Sequence, residues 1–589
     1  MRKKKLFLLP LLILGGCLLL LSGCADDGDN GEDGAGQVIT LSHLASTASQ
    51  AFDESAAEIV TFDAINRNIL TVNANSGQID VFDAATLTDL DGADPGQSID
   101  LAAMLVADGK VADAALVGAA NSIAIYGNLA AIAVEAAPKT DNGWVVFVNT
   151  ATLAYVNAVQ VGALPDMLIF THDGSKVVVA NEGEPNEGYT IDPEGSVSVI
   201  NVADYSITTV AFTDFNVGGT RYAELPTSRM ILDGYSATNA GNKATVAQSL
   251  EPEYIAVSAD SAKAYVTLQE NNAVAVIDLV DNSVAKIIGL GFKDHSIPGN
   301  EMDASQKDGV NIRNWPVMGI YMPDSIATFS HDGRDYLVTA NEGDSREDWL
   351  NPIADQASCE AAGYFFFADD GICVDEFSAK DYYAADNVTL DSGLATNGGF
   401  GEDNELRRLK FSYFTTKLMN GSTDFEKLYA YGARSFSIWD AETGMQVFDS
   451  GSEFERITAQ VYGADFNNDN AENTGDDRSD NKGPEPEGVT VGVINGHTYA
   501  FIGLERMGGV MVYDVSNPYA PDYVQYINNR DVSIDMSGGY TAAVGDLGPE
   551  GLTFVAADDS PNGSPLVIVG NEVSGTTAVY QIDVTLLQE

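Results

Sequence analysis

Short apolar strands separated by tight turns repeat along the chain, and seven segments share one plan. Each opens with a polar residue, alternates apolar residues, turns, and returns as a second apolar strand that ends in an acidic or amide residue. The segments begin at residues 57, 121, 165, 252, 323, 486 and 549. Turn-forming residues between β-rich runs are typical of hairpins, so each segment is predicted to be a β-hairpin.

A third strand usually follows each hairpin, as at 195–201 and 272–278. Repeated antiparallel units of three or four strands predict an all-β protein, a β-propeller. We expect seven blades, or eight if the block at 428–450, which has the same texture but no opening acid, forms a blade of its own. An array of β-sandwiches is the structural alternative. No helical periodicity of useful length occurs outside the N-terminal signal, which disfavours an α/β enzyme fold.

Two stretches interrupt the repeat. Residues 295–320 are polar, and residues 347–427 form a long insertion that contains Cys359 and Cys373. An insertion of this length in a compact domain is usually functional or forms a small subdomain. In an exported chain a local disulfide between the two cysteines is favoured over a metal pair, since no His or Cys partners lie nearby.

The N-terminus has the organisation of an export signal. A positive start, Arg2-Lys3-Lys4-Lys5, precedes an apolar run and the tetrapeptide Leu21-Ser22-Gly23-Cys24. This resembles a bacterial lipoprotein signal, which implies cleavage before Cys24 and diacylation of its sulfur; a plain transmembrane anchor is the alternative. The predicted organisation is a signal peptide (1–23), a flexible acidic tether (24–50) and a propeller (51–589). The protein is expected to be exported and lipid-anchored to a bacterial membrane, at the surface or facing the periplasm.

The net charge narrows the choice of partners. The 589 residues include 86 acidic and 30 basic ones, giving a formal charge of -56 and a pI near 4.1. Such a chain repels nucleic acid and anionic lipid surfaces and attracts cations. Adaptation of solubility to a salty exterior is the alternative explanation for the charge. We expect a monomer with no nucleic-acid partner, and with the membrane anchor, a small anionic ligand or an extracellular protein as possible partners.

The acids that open and close the hairpins form a pattern of their own. In a hairpin, residues equidistant from the turn face each other, so the two acids of a segment should meet at its open end. Rotation between blades then produces two rings of carboxylates. The first comprises Glu58, Asp166, Glu253, Asp324, Glu487 and Glu550, interrupted by Ser122. The second comprises Glu135, Glu182, Glu270, Glu342, Glu505 and Glu572, interrupted by Asn75.

Facing carboxylates repel one another, so bound cations, basic side chains or raised pKa values should offset them. Ligands that are all oxygen favour Ca²⁺, with Mg²⁺ or Mn²⁺ as alternatives. For any single acid, solvation or a hydrogen bond to a backbone N–H of the next blade is an equal explanation. The same register in seven segments favours a functional ring.

Two further features are candidates for ion or ligand binding. The loop at 465–476 places Asp465, Asn467, Asp469 and Asp476 at positions 1, 3, 5 and 12, as in an EF-hand loop, although position 6 is not glycine and no flanking helices are evident. Basic residues near the strand ends are few, and they could hold a phosphate or carboxylate, or else compensate the charge of the ring. They are Arg346, Arg434, Arg506 and Lys482.

Several longer motifs resemble a known family. They include VANEGEP, DPEGSVSVI, YVTLQENNAVAVID, NIRNWPV, YLVTANEGDSR and GPEPEGVTV. Over residues 50–585 the chain is similar to the choice-of-anchor I family. The resemblance implies an extracellular propeller attached by an anchor, as also in an animal mesenchyme-type surface glycoprotein. Some bacterial members carry an alkaline-phosphatase label, and the Pro-Glu-Gly motifs are similar to those of calcium-dependent propeller phytases. No catalytic residue set is carried over.

Two functions are therefore compatible with the sequence. The first is a calcium-bound surface propeller that binds a ligand or partner at its acidic face. The second is a metal-dependent phosphoester hydrolase, in which carboxylate-bound metals activate a water and Arg346, Arg434 and Arg506 neutralise phosphoryl oxygens.

Overall fold

The computed structural model describes residues 36–587 except 233, 240–242, 347–349, 351, 354, 369, 379, 382–401 and 422–424. The predicted signal peptide and Cys24 lie outside the described residues. Within them, most of the chain forms seven four-stranded antiparallel sheets, which we number as blades 1–7 in chain order.

Each blade orders its four strands from the central channel outward. Blade 1 contains, from the innermost to the outermost, Val60–Asp63, Asn68–Asn73, Gln78–Asp83 and Gln97–Asp100. Blade 2 contains Val117–Tyr126, Leu129–Ala136, Asn142–Asn149 and Ala154–Ala163. Blade 3 contains Pro165–Phe170, Lys176–Asn181, Ser196–Asn201 and Ile207–Ala211. Blade 4 contains Ile255–Val257, Lys263–Leu268, Ala273–Asp278 and Ser283–Gly289.

The remaining blades follow the same order. Blade 5 contains Ile326–His331, Arg334–Asn341, Ser435–Asp440 and Gln446–Asp449. Blade 6 contains Pro486–Ile494, His497–Leu504, Val510–Asp514 and Asp522–Ile527. Blade 7 contains Pro549–Val555, Leu566–Asn571, Thr576–Leu586 and, outermost, the N-terminal strand Gln37–Ser46.

The seven blades close into a ring. Each innermost strand contacts the innermost strand of the next blade, and the strand of blade 7 contacts that of blade 1. The apolar core is correspondingly divided among interfaces between neighbouring blades, such as Leu70 with Ile132 between blades 1 and 2. Val60 and Ile568 close the last interface, between blades 1 and 7. The predictions of an all-β propeller and of seven blades are therefore confirmed.

The N-terminal strand Gln37–Ser46 closes the ring by pairing antiparallel with Thr576–Leu586. We call it the closing strand. The prediction of a flexible tether over 24–50 is wrong for these residues. Ile39, Leu41 and Ala45 are buried between blades, so the alternation of apolar residues here is that of a core strand.

The block at 428–450 does not form an eighth blade. Leu428–Tyr431 pairs in parallel with Val317–Ile320, which in turn pairs with Phe292–Asp294 in a separate three-stranded sheet. Ser435–Asp440 and Gln446–Asp449 instead complete blade 5, because the long insertion lies between its second and third strands.

The described part of the insertion has a small core of its own. Two antiparallel strand pairs pack with residues of the 295–320 stretch such as Trp315. They are Phe365–Phe367 with Ile372–Val374 and Glu376–Ser378 with Lys410–Ser412. Cys359 and Cys373 form a disulfide, with Cα atoms 5.8 Å apart. The insertion is therefore a subdomain attached to blade 5.

Helices are few and short in the described part of the chain. The α-helices are Leu101–Ala107, Val246–Ser249, Gln356–Ala362, Tyr413–Asn420 and Glu453–Tyr462. The 3₁₀ turns are Leu87–Leu90, Ala114–Leu116, Glu187–Tyr189, Thr213–Phe215, Tyr222–Glu224, Gly463–Asp465 and Ala542–Val544. None of the described helices has the length and apolar character needed to cross a membrane.

Candidate functional site

A repeated Asn-Glu pair positions the acids that follow the second strands. In blades 3, 5 and 7 the asparagine is the last residue of that strand. Its side-chain amide bonds to the third strand: Asn181 to the Ser198 hydroxyl at 2.9 Å, and Asn341 to the Ser437 hydroxyl at 2.9 Å. The amide therefore fixes the strand end, and the next residue is a glutamate at the end of the central channel.

Seven of the twelve predicted carboxylates line a cavity of about 320 Å³ at this end of the channel. A second cavity of about 460 Å³ continues along the inner strands, and the two share Ile59, Met167 and Tyr254. The polar lining of the smaller cavity consists of Glu58, Glu135, Asp166, Glu182, Glu253, Asp324 and Glu550 together with Asn121, Tyr254 and Gln269. The acidic ring thus closes one end of the channel.

In blades 6 and 7 the two acids of the blade are not direct cross-strand partners. The backbone N–H of Glu505 donates to the carbonyl of Glu485, two residues before Glu487, and the N–H of Glu572 donates to Gly548 in the same way. The cause is an irregularity at the start of the inner strand, where the register shifts between Pro486 and Val489 and between Pro549 and Leu552. The predicted direct pairing is therefore wrong in blades 6 and 7, whose acids group across blades, whereas in blade 4 the predicted partners Glu253 and Glu270 do meet.

Three groups of carboxylates result, each with ligand oxygens within 4.8 Å of one another. We call them triads A, B and C. Triad A is Glu182, Glu253 and Glu270, triad B is Asp324, Glu487 and Glu550, and triad C is Glu342, Glu485 and Glu505.

Triad B unites the inner strands of blades 5, 6 and 7. Glu487 is only 8% exposed, and its Oε2 atom is buried without a hydrogen-bond partner. Asp324 and Glu550 line the cavity beside it. Burial and the neighbouring carboxylates raise the pKa of all three well above the usual range.

Triad A lies between blades 3 and 4. Glu253 is also 8% exposed, with a buried Oε2 atom that has no hydrogen-bond partner. Arg346 lies 3.7 Å from Glu270 and 2.5 Å from Glu251, so it partly compensates this triad. Burial raises the pKa of Glu270 to about 7 and that of Glu253 and Glu182 well above their usual range.

Triad C differs from triads A and B because several basic side chains pair with its acids. Lys482 contacts Glu342 and lies 3.3 Å from Glu485. Arg506 lies 3.1 Å from Glu505 and 3.2 Å from Glu485. Although burial opposes it, Lys482, Arg478 and Arg506 lower the pKa of Glu485 to about 2, so this carboxylate is ionised.

The remaining ring residues lie beside blades 1, 2, 3 and 7. Burial, together with the charge of Glu572, raises the pKa of Glu58 to about 8. Burial, with Glu184 and Glu135, raises the pKa of Asp166 to about 7. The pKa values of Glu135 and Glu572 are raised chiefly by burial as well. The ring is interrupted as predicted, by buried Ser122 and exposed Asn75.

Sequence reasoning missed three acids that the structure brings into this region, one of them Glu184, which pairs with Lys139 and helps to raise the pKa of Asp166. Glu485 completes triad C, and Glu251 pairs with Arg346 beside triad A. The sequence contains a pattern that could have identified Glu251 and Glu485, since each begins a Glu-Pro-Glu tripeptide, at 251–253 and 485–487. In each tripeptide the first glutamate pairs with arginine and the second joins the ring.

The four basic candidates do not converge on one point. Arg434 is buried and pairs with none of the triad acids; it pairs with Glu455 at 2.5 Å and donates to the backbone carbonyls of Ser479 and Asn481. Arg346 pairs with an acid of triad A, and Arg506 and Lys482 pair with acids of triad C.

The EF-hand-like loop holds an arginine of the same chain. Arg530 donates from one terminal nitrogen to Asn468 at 2.7 Å, to the carbonyl of Asp469 at 2.6 Å and to Asn473 at 2.5 Å. The predicted ligands have other roles. Asn467 donates to Glu455 and Ser479, Asp469 accepts from the N–H groups of Ala471 and Glu472, Asp476 accepts from Ser479, and Asp465 is exposed.

Comparison with known proteins places these features in context. The choice-of-anchor I domain matches residues 58–518, which span blades 1–5, the insertion and the first three strands of blade 6. Gigasin-3a of Magallana gigas is 29% identical over 185 residues, covering 30% of this chain and 64% of that protein. The mesenchyme-specific cell surface glycoprotein of Strongylocentrotus purpuratus is 26% identical over 356 residues, covering 57% of this chain and 44% of that protein. The chain therefore spans less than two thirds of either relative.

Among solved structures, the β-propeller domain of Cps50 (Swd1) from Myceliophteria thermophila is 6% identical, with a TM-score of 0.40 and coverage of 90% of this chain and 98% of that one. The propeller assignment rests on the strand order and the closed ring described above. On the family match over most of its length, this chain belongs to the choice-of-anchor I family.

Proposed function

We propose that this protein is an exported propeller that binds divalent cations at its acidic ring and, through that ring, a ligand or partner. The observation that carries the proposal is triad B. Three carboxylates from successive blades converge within 4.8 Å, and a buried oxygen of Glu487 has no hydrogen-bond partner. A buried polar atom without a partner is costly, and a cation would satisfy it.

The electrostatic argument supports the same conclusion. Two full charges 4.8 Å apart repel by about 3 kcal/mol at an effective dielectric constant of about 20, so three such pairs amount to about 10 kcal/mol. At neutral pH the triad must retain protons or bind a cation to avoid this repulsion. Carboxylate oxygens alone are the ligands of hard cations, and Ca²⁺ tolerates irregular geometry better than Mg²⁺ does.

Calorimetric titration of the full chain in detergent, first freed of metal, tests this proposal. We expect Ca²⁺ to bind to the wild-type protein, and the variant Glu487→Gln to bind less of it. The variant Glu442→Gln, which alters an exposed acid outside the triads, is the matched control and should bind as the wild type does. Absence of Ca²⁺, Mg²⁺ and Mn²⁺ binding at pH 8 would refute the proposal.

The location follows from the family and from one relative. A choice-of-anchor domain and a surface-glycoprotein relative support an exported or surface protein. The lipid anchor at Cys24 is part of the proposal. Metabolic labelling with a fatty acid tests it: we expect label in the wild type and none in Cys24→Ala, and label in both would contradict it.

Phosphoester hydrolysis is less well supported. It would need basic side chains able to receive a phosphoryl group, but Arg346, Lys482 and Arg506 already pair with acids of triads A and C, and Arg434 pairs with Glu455. Turnover of a phosphomonoester that appears with Ca²⁺ and disappears with chelator would reinstate this function.

A further inference from the structure

The three triads have similar oxygen ligands but different surroundings. In triads A and B, one glutamate is more than nine-tenths buried and has an oxygen without a hydrogen-bond partner: Glu253 in A and Glu487 in B. Among the described residues, no oxygen of triad C is left in this way. The difference lies in what already satisfies the oxygens.

In triad C the satisfying groups are side chains of the chain itself. Lys482 contacts Glu342 and Glu485, and Arg506 contacts Glu485 and Glu505. Arg478 adds a contact of 2.8 Å to Glu485, and Gln269 donates to Glu342 at 2.8 Å. Three acids of the triad thus face three basic groups, with Asp344 as a further acid 3.9 Å from Lys482, so side chains already offset most of the charge that would attract a metal ion.

Triad B is the opposite case, because the structure gives its three carboxylates no ion pair among the described residues. Triad A is intermediate. Arg346 approaches Glu270 at 3.7 Å, but its closer partner is Glu251 at 2.5 Å, so triad A keeps a net negative charge. Both triads contribute acids to the lining of the same cavity.

We propose that the acidic ring takes two exchangeable divalent cations, one in triad A and one in triad B, and that the ammonium group of Lys482 stands in for a third ion in triad C. This inference rests on the proposed cation binding and adds its number and location. The lysine satisfies the oxygens that a metal would otherwise need to satisfy, so the third site is permanently filled and does not exchange.

Counting Ca²⁺ ions per chain tests this inference, by equilibrium dialysis of the full chain in detergent at pH 8. The same substitution is made once in each triad. We expect two ions for the wild type and one each for Glu253→Gln and Glu487→Gln. Glu505→Gln, in triad C, should still bind two. A lower count in Glu505→Gln, or a wild type that binds one or three ions, would overturn the inference.

The converse experiment removes the internal cation. Lys482→Met should raise the count from two to three, provided that circular dichroism shows a folded propeller. A folded Lys482→Met protein that still binds two ions contradicts the role of Lys482. If this variant does not fold, the comparison of Glu505→Gln with the other two glutamines decides alone. Failure of the proposed function is distinguishable, since the wild type would then bind no ion.

Discussion

Neutralising one carboxylate of triad B should stabilise the protein when no cation is present. Glu487 lies within 4.8 Å of both Asp324 and Glu550, so Glu487→Gln removes two of the three repulsions, about 7 kcal/mol for full charges at an effective dielectric constant of about 20. The wild type relieves part of this repulsion by retaining protons. We therefore expect about 2–4 kcal/mol of the repulsion to appear as a gain in the free energy of unfolding at pH 8.5.

The gain should depend on pH in a defined direction. The raised pKa of Glu487 means that the folded chain still holds a proton that the unfolded chain releases near pH 4.5. Stability from this group is complete below that pH and is lost as the pH rises toward the raised value. At pH 5 the carboxyl is neutral in the folded wild type, so the glutamine should make little difference there.

Scanning calorimetry with chelator measures this effect. An unfolding entropy of about 2 cal/mol/K per residue over roughly 550 residues converts 1 kcal/mol into about 1 °C, so Tm should rise by about 2–4 °C at pH 8.5. Calcium at 100 to 1,000 times its Kd should raise the wild-type Tm by about 3–4 °C per site, and the variant should lose the gain of one site. A chelated Glu487→Gln protein that is less stable than the chelated wild type by equal amounts at pH 5 and pH 8.5 would refute the reasoning. Glu442→Gln is the control and should match the wild type.

Other features lead to further predictions. In the presence of chelator, Tm should fall between pH 5 and pH 8.5, because Glu58 (pKa about 8) and Asp166 (pKa about 7) ionise over this range. Calcium should reduce this fall in Tm. Equal profiles of Tm against pH with and without calcium would contradict the prediction. Arg346→Met should lower the free energy of unfolding, measured in urea, by about 3–5 kcal/mol, because the substitution leaves Glu251 buried without its partner. The double variant with Glu251→Gln should recover part of this loss. A double variant no more stable than Arg346→Met would contradict the pairing. Removal of residues 36–46 should make unfolding less cooperative, with earlier loss of blade 7 by hydrogen exchange, whereas unchanged exchange there contradicts the closing role.

The sequence predicted the hairpins well because their information is local. Alternating apolar residues and turn residues lie within about twenty positions, and the structure places strands such as Lys263–Leu268 and Ala273–Asp278 where the pattern indicated. The closing strand was not predicted from the sequence, because its partner, Thr576–Leu586, lies at the other end of the chain. Alternation alone does not say what such a strand pairs with.

Most members of the acidic ring could be predicted, although Glu485 of triad C was missed, but their grouping could not. The register count identified most of the acids, including all three of triad B. Grouping depended on the shift between Pro486 and Val489, which moves Glu485 opposite Glu505, and on the curvature that brings blades 5, 6 and 7 together. The loop at 465–476 had an oxygen pattern suited to calcium, but Arg530, remote in sequence, occupies oxygens of that loop. Composition of a loop does not reveal a cation supplied by the same chain.

The closing strand also determines how the molecule responds to force. A pull transmitted through residue 36 reaches the pair of Gln37 with Leu586 first and then the rest of the ladder between the two strands. Peeling this strand away would expose the edge of Thr576–Leu586 in blade 7, the blade that supplies Glu550 to triad B. If the proposed lipid anchor and cation site exist, tension along the tether would act on blade 7 before blades 2–4, and calcium bound in triad B would oppose the extraction of the strand.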